Sequence, residues 1–144
     1  MSATADSSLI VALYLAEVDS ARADAVCAAQ LPPILLTDWH RVEIANAFER
    51  AVLSGRIAAP QAAQLWQDFS EDVNAGRFRI AAVDHQAVLG RSLILTQKHT
   101  ATKGTRSLDL IHIATALELG ADTLLSFDDR QKKAASAEGL VVLP

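Results

Sequence analysis

Apolar residues along the chain fall into short unbroken runs separated by longer stretches where they recur every three or four positions. That pattern predicts buried strands alternating with amphipathic helices. Asp6-Ser7-Ser8 reads as a helix N-cap ahead of the apolar run Leu9 to Ala16. A second helix, from Ser20 to Gln30, must end before Pro32-Pro33, because proline cannot continue it. Residues Ile34 to Thr37 predict a short buried strand, followed by a helix from Asp38 to Ser54 that Gly55 stops. Pro60 opens the next helix, in which Leu65, Phe69 and Val73 stand at four-residue spacing before Gly76. Phe78 to Val83 predicts a strand, Asp84 caps a helix running to His99, and Thr100 to Arg106 predicts a loop. Ser107 then caps the apolar helix LDLIHIATALEL, with Gly120 just past its end. Thr123–Phe127 predicts a strand, Asp129–Ala137 a helix and Leu140–Leu143 a last strand.

Strands alternating with helices, each apolar enough to be covered on both faces, predict an α/β fold. The expected architecture is a three-layer sandwich with a mostly parallel central sheet flanked by helices. No linker, repeat or charge block divides residues 1–144, so a single domain is expected. Ligands of such sheets bind beyond the carboxyl ends of the strands.

Composition narrows the function classes. The 144 residues are 51% hydrophobic and 21% charged, which excludes disorder. The single cysteine, Cys27, excludes an internal disulfide and a Cys-rich zinc site, and is expected to be a small buried hydrophobe. Aromatics at 5% argue against a base-stacking sheet, and a net charge of −4 is no overall nucleic-acid footprint. The run Leu9–Ala16 is too short to span a bilayer and follows Asp6 rather than basic residues. A soluble cytoplasmic protein with no membrane partner is therefore expected.

Four acids are the candidates for chemistry. Asp6 follows the first candidate strand and Asp128 follows Thr123–Phe127, so parallel strands would project both from one sheet edge. Asp109 lies in the first turn of an otherwise apolar helix. Glu43 sits just off the stripe Ile44, Phe48 and Val52. Each has an ordinary account: Asp6 and Asp109 satisfying helix N-termini, Asp128 a turn, Glu43 a solvated helix face. Gathered together, however, four carboxylates repel one another unless a cation neutralises them. An all-oxygen set suits Mg²⁺, or Mn²⁺ in its place. Such sites hydrolyse phosphodiesters.

The segments ADSSLIVALYLAE, VEIANAFERAVLSGRI, SLDLIHIATALELGADTLLSFDDR and GLVVL together resemble PIN-domain nucleases, and among them the VapC-type toxins of bacterial toxin–antitoxin pairs. The resemblance runs from Ala3 to Leu143, and its most specific piece is the Asp109 helix followed by SFDDR. It implies a Mg²⁺-dependent endoribonuclease acting on RNA and held inactive by a cognate antitoxin. Asp6, Glu43, Asp109 and Asp128 would be its catalytic and metal-binding acids. Ser126 stands where the family usually has Thr beside the metal-bound water. The chain departs from the family in opening with only Ser2-Ala3-Thr4-Ala5 before its first Asp.

Setting those four acids aside brings the net charge from −4 to 0. Lys98, Lys103 and Arg106 precede the Asp109 helix, and Arg130, Lys132 and Lys133 follow Asp128; they form either a phosphate track or a solvated loop. His112, one turn from Asp109, reads as a packed core histidine more readily than as a general base. Ser7 and Ser8 read as capping residues. Trp39, Trp66 and the Leu65/Phe69/Val73 stripe read as core or interface, and the stripe motivates an expected homodimer, as does the family likeness. Two other readings compete. A receiver-type phosphoacceptor module would need paired acids after its first strand and a late lysine, whereas serines follow Asp6. A catalytically silent PIN-like binding protein would not need all four acids.

Overall fold

A computed structural model describes residues 1–144. Five short strands form one sheet, all parallel: β1 (Ala3–Ala5), β2 (Ile34–Leu36), β3 (Phe78–Ile80), β4 (Thr123–Leu125) and β5 (Val141–Leu143). Their order across the sheet is β3-β2-β1-β4-β5. Seven helices cover it: α1 (Ser7–Tyr14), α2 (Ser20–Ala28), α3 (Asp38–Leu53), α4 (Ala59–Asn74), α5 (His85–Lys103), α6 (Ser107–Glu118) and α7 (Asp129–Ala137). The chain moves outward from β1 to β3, then crosses back to lay β4 on the other side of β1. That reversal opens a crevice between the carboxyl ends of β1 and β4. Receiver-type doubly wound sheets have the order 2-1-3-4-5. The observed order is different, and the phosphoacceptor reading loses its scaffold.

Strand periodicity divides the interior into two cores, one on each face of the sheet. Adjacent residues Leu124 and Leu125 of β4 enter opposite cores. One core gathers Leu9, Ile10, Ile44, Phe48, Phe69 and Phe78 under α1 to α4. The other gathers Val88, Leu95, Leu110, Ile113 and Ala134 under α5 to α7. The three-layer sandwich is therefore as expected. β1 is short, yet Ala3, Thr4 and Ala5 are all buried, since the strand is central and small residues let helices approach from both sides.

Several local expectations need correction. The strand after Gly76 stops at Ile80 rather than Val83. Helix α5 runs four residues past His99, to Lys103. His99 is buried and bonded to Glu138 at 2.6 Å, which pins that turn, and the helix ends where Gly104 adopts φ 68. Ser107 is not the cap of α6. Arg106 occupies that position, and the Asp109 carboxylate reaches back to accept its N–H at 2.9 Å. Asp128, read as a turn residue, is the capping carboxylate of α7, with Oδ1 accepting the Gln131 N–H at 2.9 Å. The α4 stripe is no free surface either. Phe69 is fully buried, and Leu65, Trp66 and Val73 pack against the same core. Exposed apolar side chains gather instead on α5 (Leu89, Leu93, Ile94) and the start of α3 (Trp39, Val42). Trp39 and Leu89 share the wall of an apolar cavity of about 230 Å³ with Val83, Val88 and Ile111.

Candidate active site at the carboxyl edge of the sheet

Asp6 directly follows β1, and its backbone N–H extends the sheet by donating to the Leu125 carbonyl at 2.9 Å. Its side chain caps α1: Oδ2 accepts the Ser8 N–H at 3.2 Å and also contacts the Ser8 hydroxyl. The crevice and the cap together aim Asp6 over the sheet edge. Glu43, on the second turn of α3, has Oε1 accepting the Ser7 hydroxyl at 2.9 Å. Asp109 is buried at the start of α6, held by the Arg106 amide and 3.5 Å from its guanidinium. These three acids line one open cavity of about 360 Å³, with Ser8, Arg106 and Ser107 on the same wall.

Asp128 stands apart from that wall. Its Oδ1 caps α7, while Oδ2 lies 3.7 Å from the Arg106 guanidinium, so one arginine links Asp109 and Asp128. Ser126 does not face the cavity. It is fully buried, donating to Gln131 Oε1 at 2.5 Å and accepting the Asp128 N–H at 3.1 Å. The basic residues on either side are mostly occupied. Lys98 pairs with Glu138 at 2.6 Å, Arg130 reaches the Gly104 carbonyl at 3.3 Å, and Lys132 reaches the Pro144 carbonyl at 2.8 Å. Arg106 is the basic side chain that opens onto the acids.

Two histidines form the floor. His112 is buried with Nε2 2.7 Å from Glu43 Oε1 and 3.6 Å from Asp6 Oδ1. Neither ring nitrogen makes an aligned hydrogen bond. Burial disfavours its charged form, but the contact with Glu43 and the charges of Asp6, Glu43 and Asp109 outweigh it and raise the imidazole above its ordinary value. His112 is thus both a packed residue of α6 and an internal counter-charge to the acids. His40 is its opposite. The Thr37 N–H donates to Nδ1 at 2.9 Å, so the ring proton sits on Nε2 and donates to the Ala5 carbonyl at 2.9 Å. Burial, with the neighbouring His112 charge, pushes His40 down to about 3 and keeps it neutral. It ties the end of β1 to the start of α3, with its ring centroid 4.7 Å from that of His112.

The sequence pattern does not mark His40 or Gln131 as site residues. Gln131 had one available signal, the spacing Asp128-x-x-Gln131 of a capping box. Its side chain turns inward instead of back onto the cap: Nε2 donates to Asp6 Oδ1 at 3.3 Å and to the Asp109 carbonyl at 3.2 Å.

The cavity wall carries three carboxylates against one guanidinium and offers only oxygen donors. That excess negative charge and donor type fit a hard divalent cation. As they stand, no three acidic, histidine or cysteine side chains converge closely enough to enclose an ion. The fit is one of charge and donor chemistry.

The family model described as PIN domain matches residues 4–137. The fold is similar to a toxin–antitoxin complex from Klebsiella pneumoniae, with TM-score 0.68 and 18% identity over 97% of this chain and 96% of that one. It is also similar to FitAcB from Neisseria gonorrhoeae, with TM-score 0.67 and 17% identity over 99% of this chain and 96% of that one. No curated protein sequence matches the chain.

Proposed function

The chain belongs to the PIN-domain family, and from that premise we propose that it is a Mg²⁺-dependent endoribonuclease, the toxin of a toxin–antitoxin pair. The observation that carries the reading is the shared cavity of Asp6, Glu43 and Asp109 at the sheet's carboxyl edge, with Asp128 joined to it through Arg106. Family membership supports nuclease chemistry, and the likeness in fold to a toxin–antitoxin complex from Klebsiella pneumoniae supports the cellular role.

In this reading Asp6, Glu43, Asp109 and Asp128 are the catalytic and metal-binding acids, with Mg²⁺ the resident ion and Mn²⁺ its substitute. When bound, the cation supplies Lewis-acid charge to the phosphodiester. The chain's own residues do the rest. Ser8 and Ser7 hold the Asp6 and Glu43 carboxylates by hydrogen bonds, so their orientation is set before substrate arrives. The Arg106 guanidinium, 73% exposed, stands at the mouth and can take a substrate phosphate, leaving Asp109 and Asp128 freed of their counter-charge. His112 limits mutual repulsion of the acids from below.

The partners are an RNA substrate and a cognate antitoxin in the cytoplasm. The exposed face of α5 and the start of α3, rather than α4, is the surface we assign to a homodimer. RNA cleavage by the purified protein should vanish in EDTA, return with Mg²⁺ or Mn²⁺, and be lost in Asp6→Asn. Cleavage undiminished by the chelator would overturn the mechanism.

A further inference from the structure

We propose that Gln131 is a positioning residue for the carboxylate site, its buried side-chain amide holding Asp6, the first turn of α6 and, through Ser126, the turn that carries Asp128 in mutual register. The inference rests on the nuclease reading for the purpose of those acids, but not for the contacts themselves. Gln131 is fully buried in the first turn of α7, where an unpaired amide would be costly. Every polar group of its side chain is paired. Oε1 accepts the Ser126 hydroxyl at 2.5 Å, while Nε2 donates to Asp6 Oδ1 at 3.3 Å and to the Asp109 carbonyl at 3.2 Å. Its backbone N–H donates to Asp128 Oδ1 at 2.9 Å.

The chemistry of the partners fixes which way the amide points. Ser126 Oγ accepts the Asp128 N–H and gives its one proton to Gln131 Oε1. The NH₂ group is left facing two acceptors, a carboxylate and a carbonyl. The reverse orientation would set oxygen against oxygen at both. One neutral amide thus touches the end of β1, the first turn of α6 and the turn after β4. Those three segments approach one another only through the parallel crossovers. A glutamate of the same shape would place like charge against Asp6, and a lysine would bring a cation to compete with the metal. Gln supplies a donor with no net charge.

The test uses Gln131→Met, which keeps the side-chain volume and the backbone cap but removes the amide. Mn²⁺ binding, read from the electron paramagnetic resonance of free Mn²⁺, should weaken by about tenfold or more, as is typical when a partner of a metal ligand is lost. Unfolding should stay cooperative. Ser126→Ala should weaken binding in the same direction by less, and Gln131→Glu should not restore it. A metal-free measurement stands beside these: the Gln131 side-chain NH₂ resonances should shift in Asp6→Asn and stay in place in Glu43→Gln. An Mn²⁺ affinity within twofold of the parent in Gln131→Met, with Asp6→Asn impaired, overturns the proposal. If the parent protein bound no Mn²⁺, the metal reading would fall, and the NH₂ response to Asp6→Asn alone would decide for or against the positioning role.

Discussion

Two adjacent aspartates at the end of β4 are separable by experiment. Asp128 carries two duties: Oδ1 caps α7 through the Gln131 N–H at 2.9 Å, and Oδ2 faces Arg106 at 3.7 Å. Asp129 carries neither, with a side chain 83% exposed and 3.6 Å from Lys132. Asparagine caps helices about as well as aspartate, so Asp128→Asn should keep the cap and lose only an exposed ion contact, a change of a few tenths of a kcal/mol. Asp128→Ala removes the cap and should cost about 0.5–2 kcal/mol, which lowers Tm by roughly 4 °C per kcal/mol at this size. Asp129→Asn should fall within about 0.5 kcal/mol of the parent. Activity is expected to divide differently: both Asp128 variants lose RNA cleavage, while Asp129→Asn retains it. Thermal melts and a fluorogenic RNA assay on the three proteins would decide. Equal Tm losses in Asp128→Asn and Asp128→Ala would refute the capping argument. A dead Asp129→Asn beside a live Asp128→Asn would show that the wrong acid had been assigned to the site.

Other outcomes follow from the same geometry. His40 is held near 3 against an unfolded value of about 6.5, so the unfolded chain binds more protons below pH 6.5 and stability falls as pH falls toward 3. The loss should approach about 1.4 kcal/mol per pH unit, and a urea midpoint no steeper between pH 6.5 and 5 than that of His40→Gln would refute it. Burial, offset only partly by Arg77, pushes the Cys27 thiol up to about 11, so it should resist iodoacetamide at pH 8 in the native protein and react once unfolded; rapid native labelling would contradict this. If the α5 face joins two copies, Leu89→Glu combined with Leu93→Glu should halve the mass seen by light scattering, whereas Leu65→Glu should lower Tm instead. An unchanged dimer would place the interface elsewhere.

Periodicity and punctuation were enough for the sequence to determine the alternation of strands and helices, the parallel sheet and the two-sided core. Ile34–Leu36, Thr123–Leu125 and the Gly120 stop are local signals, and local forces produce the elements they predict. The positions of Asp6 and Asp128 at one sheet edge followed too, because a parallel sheet sends all its carboxyl ends the same way. Details that depend on which of two partners a polar group finds were settled only in three dimensions. Asp109 rather than Ser107 completes the start of α6, and Asp128 is a helix cap rather than a simple turn residue, because each carboxylate reaches a free backbone N–H three residues away. The α4 stripe, core or interface on paper, buries Phe69 and packs Leu65, Trp66 and Val73 half-buried against the first core. A stripe does not reveal whether its cover is the chain's own core or another molecule. His112 and Gln131 stand far from Asp6 in sequence and meet it only after the chain crosses back between β3 and β4, while His40 meets the Ala5 carbonyl across the β1–β2 pairing. Charge and hydrogen bonding between such segments have no period and no spacing to betray them, and close packing in the fold alone brings them within reach.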